Sequence, residues 1–312
     1  MNLRRNIIKP EENMRKIITI TTLLVIASTL LAACGGGTTT ASDLLAQIKQ
    51  RGTILVSTDP NYEPQSFLNT EGKRPSDTKC PSDTLTSAEM QGFDVDVALE
   101  IGKRLGVETC FATPDWDLLV AGNWADKWDI SVGSMTIKPA RQAVLDFTTP
   151  YYYTPAMIGT FEGSGINSVE DLAGKAICVG TATTYDDWLN GNLDLPASSI
   201  YSQPPAGVIV VPLPTDQECA QALAAGRTDF VAYATSETVI DANIAAGMPV
   251  VKIGKAVFSE DLGVAIDKAH SLPTVTLLKA VDDIVIAMHA DGTLSQLSIQ
   301  WFGADLTQDP TK

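Results

Sequence analysis

Beyond residue 42 the chain alternates short β-branched apolar runs with stretches whose apolar side chains recur every three or four positions. Residues 53–58 (TILVST) predict a strand. Residues 94–105 (DVDVALEIGKRL) place Val97, Ile101 and Leu105 four apart, on one helical face, and Gly106 follows as a stop. Residues 107–113 and 128–133 (WDISVG) return to strand. The rhythm then repeats, with strands at 175–180 and 207–213, a helix at 216–225 ending at Gly226, and strands at 229–234 and 262–266. A last long helix at 274–289 sets Leu278, Val281, Val285 and Met288 on one face. Such alternation predicts an α/β fold of parallel sheets covered by helices, and this many units predicts two sheets rather than one compact core. Residues 73–91 are polar and rich in Pro and Ser, and read as a surface loop.

The N-terminus follows different rules. Arg4, Arg5, Lys9, Arg15 and Lys16 form a basic head, residues 17–33 carry no charge, and Leu31-Ala32-Ala33 leads into Cys34. Such a segment reads as an export signal, not as part of the fold, and 17 apolar residues are the short edge of what spans a bilayer. The Leu-Ala-Ala-Cys ending resembles a bacterial lipobox. By that resemblance the chain is cut after residue 33 and Cys34 carries a lipid, with residues 34–42, including the run GGGTTTA, serving as a flexible tether to the membrane.

Charge narrows the partners. The whole chain is −15, and residues 1–33, with five basic and two acidic side chains, contribute +3, so the remainder is −18. An acidic surface repels phosphate backbones and argues against nucleic acid as a partner. Five cysteines leave four once Cys34 is set aside. Cys80, Cys110, Cys178 and Cys219 allow three pairings. The two local bridges, Cys80–Cys110 and Cys178–Cys219, are expected in an oxidising exterior. Only His270 and His289 are present and no C-x-x-C occurs, which argues against a metal site. No cofactor is expected.

Several segments, in order, resemble one family. These are ILVSTDPNYEP (54–64), GFDVDVALEIGKRLG (92–106), WDISVGSMTIKPARQAVLDFTTPYY (128–152), DLAGKAICVGTATT (171–184), ALAAGRTDFVAYAT (222–235) and DGTLSQLSIQWFG (291–303). Together they are similar to the family 3 extracellular solute-binding proteins, the polar amino-acid receptors of ABC importers. The resemblance implies a two-lobed Venus-flytrap fold of the type II periplasmic-binding-protein class. Lobe 1 would comprise residues 43–153 and 259–312, and lobe 2 residues 154–258, with a two-strand hinge near 153–159 and 257–263. It also implies a lipid-anchored, extracytoplasmic monomer that hands a small solute to membrane permease subunits after the lobes close on it.

The same resemblance assigns roles. Ser134, Thr136 and Arg141 resemble the family's S/T-x-T-x-x-R pattern, with four residues here between the second hydroxyl residue and the Arg; in the family the Arg grips the ligand carboxylate, and guanidinium is the planar, permanently charged fork that task requires. Thr183 and Thr184 precede a predicted helix at 185–190, whose free N–H groups suit an anion. Asp59, Tyr62 and Trp116 match positions lining the side-chain pocket, where aromatic rings stack on an aliphatic or cationic chain. The pattern breaks at Ala234, where the family usually carries an Asp for the ligand's α-ammonium. Glu237 or Asp59 is then expected to replace it, or the ligand lacks that ammonium. A second break puts Gln65 where an aromatic is usual.

The expected function is therefore solute capture without turnover. A dehydratase-like enzyme using the same cleft, with Glu237 or Asp59 as its acid, is the first alternative. Against it stand the lack of a cleft His and of any G-x-S-x-G signature. A sensory ligand-binding module is the second, disfavoured because no further apolar segment follows.

Overall fold

The computed structural model of the protein describes residues 41–310. The expected signal at 1–33 and the lipidation site at Cys34 lie outside the described residues, as does the tether apart from its last two positions.

α1 (Leu44–Arg51) starts under Asp43, whose carboxylate accepts the Ala46 N–H at 2.8 Å, and stops at Gly52. β1 (Thr53–Ser57) follows, then a small sheet of β2 (Asn61–Tyr62), β3 (Ser66–Leu68) and β4 (Met90–Gln91). α2 (Phe93–Leu105) buries Val97, Ile101 and Leu105, the face its spacing predicts. Its first turn carries Asp94 and Asp96 and its last Lys103 and Arg104, both favourable to the helix dipole. β5 (Glu108–Ala112), α3 (Trp116–Val120), β6 (Ile130–Thr136), α4 (Pro139–Gln142) and β7 (Leu145–Phe147) come next. The middle of the chain forms β8 (Tyr152–Phe161), β9 (Ala176–Gly180), α5 (Thr184–Leu189), β10 (Ile209–Leu213), α6 (Asp216–Ala224), β11 (Ala232–Ser236) and α7 (Glu237–Ala245). β12 (Val250–Asp267), α8 (Val275–Ala290) and α9 (Thr293–Phe302) close it.

The strand order is β10-β9-β11-β8-β12-β6-β1-β5, with β7 also on β12. One parallel set joins β5, β1 and β6, and another joins β10, β9 and β11. Between them the long antiparallel pair β8 and β12 runs through both sets, from Tyr152↔Leu262 to Phe161↔Val250. The two sets are thus hydrogen-bonded through a crossing ribbon, and each has its own apolar core. The first core holds Ile54, Val97, Ile130, Tyr152, Leu262 and Val281, so this lobe draws on both ends of the chain. The second holds Ile158, Ile177, Trp188, Ala234 and Phe258.

Three boundaries differ from expectation. β6 starts two residues later and continues through Ser134 to Thr136, because β12 supplies partners there (Gly263↔Met135, Leu262↔Thr136). β11 is Ala232–Ser236 rather than 229–234, since β8 pairs the polar residues Thr235 and Ser236 with Met157 and Ala156. The expected strand 262–266 is one end of the 18-residue β12. On α8 the buried residue is Leu277, with Leu278 only packed against the core. Both expected disulfides form. Cys80–Cys110 ties the polar 73–91 segment to β5, and Cys178–Cys219 ties β9 to α6.

Candidate functional site

The ends of the central strands meet the starts of several short helices in a cleft between the lobes. Its walls are Asp59, Tyr62, Trp116, Gly133, Ser134, Thr136, Arg141, Thr183, Thr184, Tyr185, Pro214, Thr215, Asp216 and Glu260. Counted to its open mouth and with solvent space included, the void is about 470 Å³. Eight of the nine ligand residues expected from the sequence are brought together here. The ninth, Glu237, is not.

Arg141 lies on α4, which Pro139 starts at its first position. Its side chain is 3% exposed. Nη1 donates to the Thr136 carbonyl and Nη2 to the Ala182 carbonyl, each at 3.2 Å, while Nε has no partner. Among the described residues no carboxylate stands at ion-pair distance from it. Burial lowers its pKa to about 10, against the opposing charges of Glu260 and Asp187. The guanidinium also lies 5.3 Å from the Trp116 ring centroid. Trp116 Nε1–H donates to the same Ala182 carbonyl at 3.4 Å. Ala182 has φ of 61°, a left-handed conformation unfavourable for a residue with a Cβ; that conformation accompanies a carbonyl shared by two first-lobe donors.

Ser134 sits near the C-terminal end of β6 with φ of 52°. Its N–H donates to the Tyr151 hydroxyl at 2.9 Å and its Oγ donates to Asp94 at 2.7 Å. Its Oγ therefore accepts from the Tyr152 hydroxyl, 2.6 Å away. Tyr151 donates to the other oxygen of Asp94 at 2.8 Å. Asp94 is fully buried beneath the cleft floor, and burial raises its pKa to about 7 despite these two donors. Thr183 caps α5, accepting from the Asp186 N–H at 3.2 Å and donating to the Gly180 carbonyl at 2.8 Å, so its hydroxyl is occupied by the helix it starts. That helix begins at Thr184, one residue before the expected start.

Three acidic groups face the cleft. Asp59 accepts from the Asn61 N–H at 2.8 Å, and burial raises its pKa. Asp216, in the first turn of α6, accepts from the Gly180 N–H at 2.7 Å and the Thr235 hydroxyl at 3.1 Å. Burial, with Glu260 and Asp59 adding repulsion, raises it to about 7. Glu260, on β12, accepts from the hydroxyls of Thr136 (2.6 Å), Tyr185 (2.6 Å) and Thr184.

Sequence reasoning missed Glu260, Asp216 and Tyr185. A signal existed for Glu260, since it interrupts the apolar run AVFSEDLGVAI. Asp216 was absorbed into a helix start. Glu237 takes a different position, pairing with Lys252 at 2.7 Å on the surface, because β11 ends at Ser236 and α7 turns away from the cleft. Ala234 is buried in the second core, opposite Ile158, and does not line the cleft. Gln65 bridges the lobes, donating to Thr238 at 2.6 Å and Ser236 at 3.3 Å. Tyr62 donates to Ser236 at 3.1 Å, and Lys138 pairs with Asp187. With these contacts in place the lobes are closed on the cleft.

The chain is similar to known proteins. The chain is 31% identical over 267 residues to the L-cystine-binding protein TcyJ of Escherichia coli (strain K12), covering 85% of this chain and 88% of that protein. It is 30% identical to the L-arginine-binding protein of Pseudomonas aeruginosa, over 70% of this chain and 82% of the relative. Among solved structures, the ancestral amino acid-binding protein AncCDT-1, described as a precursor of cyclohexadienyl dehydratase, matches with a TM-score of 0.66 and 27% identity over 83% of this chain and 99% of its own. An ancestral arginine-binding protein bound to arginine matches with a TM-score of 0.65 and 27% identity, over 81% of this chain and 99% of its own. The family model of the bacterial extracellular solute-binding proteins, family 3, matches residues 54–304. A two-lobed fold with a polar cleft at its crossing strands, and a family match spanning almost every described element, together mean that this chain belongs to family 3 of the bacterial extracellular solute-binding proteins.

Proposed function

We propose that the protein captures a polar α-amino acid outside the cytoplasm and delivers it to the permease subunits of an ABC importer. The observation that carries this reading is Arg141, a buried guanidinium with a free Nε–H, a pKa lowered by desolvation and, among the described residues, no carboxylate partner. A buried cation left unpaired is costly, and an anionic ligand group that enters the closed cleft removes that cost. Arg141 takes the carboxylate; Ser134, Thr136, Thr183 and Thr184 shape the surrounding wall. Asp59, Tyr62 and Trp116 receive the ligand's side chain. The relatives named for cystine and arginine support a polar ligand. Export with a lipid on Cys34 holds the monomeric receptor beside its permease; mass spectrometry of the mature N-terminus tests that part.

Calorimetry of the purified protein against the twenty amino acids, cystine and simple carboxylates tests the whole. One or a few amino acids are expected to bind with micromolar or tighter affinity and without turnover. Silence across the panel overturns the reading.

A further inference from the structure

Resting on the amino-acid reading above, we infer that Glu260 is the counter-ion of the ligand's α-ammonium, so that in this protein the ammonium site has moved from the second lobe onto the crossing strand. The second-lobe position cannot serve, because Ala234 is apolar, buried and absent from the cleft wall. Glu237 is engaged by Lys252 outside the cleft.

Glu260 meets each requirement. Its residue is 2% exposed, it lines the cleft, and among the described residues no cation stands at ion-pair distance from it. Its three hydrogen-bond partners are all hydroxyls, which hold it in place without neutralising it. Oε1 accepts two of them and Oε2 one, so Oε2 keeps acceptor capacity for an N–H donor. The carboxylate and ammonium of an α-amino acid hang from one carbon, so their protein partners must be neighbours. Thr136 links the two, its carbonyl accepting from Arg141 at 3.2 Å and its hydroxyl donating to Glu260 at 2.6 Å. A zwitterion laid between Arg141 and Glu260 compensates two buried, unpaired charges at once.

The position also couples recognition to closure. Phe258 belongs to the second core and Leu262 to the first, so Glu260 stands where β12 crosses between lobes. Its carboxylate gathers Thr136 from one side and Thr184 and Tyr185 from the other. This compact carboxylate is complete only when the lobes meet.

The test compares each amino acid with its desamino counterpart by calorimetry: L-arginine with 5-guanidinopentanoate, L-histidine with 3-(imidazol-4-yl)propionate, and L-cystine with 3,3′-dithiodipropionate. Wild-type protein is expected to prefer whichever amino acid it binds over that acid's desamino form. Glu260→Gln is expected to weaken the amino acid by roughly 30-fold or more and the desamino acid by less than about 3-fold, so that the preference collapses. Glu260→Asp is expected to restore part of it. Asp216→Asn, which changes another acid on the cleft wall, is expected to weaken the amino acid and its desamino counterpart by similar factors, which keeps the test decisive even if the Gln variant does not fold. The inference is overturned if Glu260→Gln weakens both ligands equally, or if Asp216→Asn abolishes the preference. In either case amino-acid binding by the wild type still upholds the receptor reading, whereas a wild type silent across the whole panel of amino acids, cystine and carboxylates overturns both.

Discussion

The indole of Trp116 and the guanidinium of Arg141 stack 5.3 Å apart and donate to one acceptor, the Ala182 carbonyl, at 3.4 and 3.2 Å. Two first-lobe side chains thereby read a single backbone group of the opposite lobe. The ring and the two carbonyls hold the guanidinium in place and leave its Nε–H without a partner.

Trp116→Ala is expected to weaken ligand binding roughly 2- to 30-fold, the span of a cation–π contact worth about 0.5–2 kcal/mol. Trp116→Phe keeps a ring but loses the bond to Ala182, and is expected to fall between wild type and the Ala variant. Calorimetry on the three proteins checks the order.

Arg141→Lys keeps the charge but loses the planar fork, and is expected to cost about tenfold or more in affinity. Arg141→Met removes a desolvated, unpaired cation. Its melting temperature without ligand is expected to equal or exceed that of wild type, while the shift on adding ligand disappears. A melt lower than wild type would contradict the account of Arg141 as an uncompensated charge.

Asp94 makes stability depend on pH. Its pKa rises from 3.8 to about 7 in the folded protein. Between those values the native chain holds a proton that the unfolded chain has lost, so its contribution is full below about pH 4 and is lost as pH rises through about 7. Asp94→Asn removes this term. From pH 5 to pH 8 the wild-type melting temperature is expected to fall more steeply than the variant's. The Asn variant retains some slope, because Asp216 titrates in the same direction.

The Cys178–Cys219 bridge closes a 41-residue separation and holds β9 against the helix whose first turn carries Asp216. Replacing both cysteines with Ala is expected to cost about 2–4 kcal/mol in urea unfolding. Ligand affinity is expected to fall as well, because Gly180 on β9 donates to Asp216 on α6 across the bridged elements.

Much of this molecule was legible before its structure. Val97, Ile101 and Leu105 announced α2 because a helix that buries one face needs that spacing whatever lies opposite. The β-branched runs announced β1, β9 and β10. Arg141 stood out because it follows Ser134, Thr136 and a helix-starting Pro within the segment that resembles family 3. Boundaries failed where pairing overrode composition, as in the polar ends of β6 and β11, which are strands only because β12 and β8 supply their partners.

The sequence by itself determined the alternation of elements and the expected cysteine pairs, because these rest on local spacing and residue chemistry, and its resemblance to family 3 marked the guanidinium and most of the expected cleft walls. Tertiary structure alone decided which acid faces that guanidinium. Glu237 lies close in sequence to the missing Asp position, yet α7 carries it to Lys252 at the surface. Glu260, 26 residues beyond Ala234, enters the cleft because β12 crosses between two cores there. The reason is physical: a side chain's charge is written in the chain, but its neighbours and its dielectric are set by how distant strands pair.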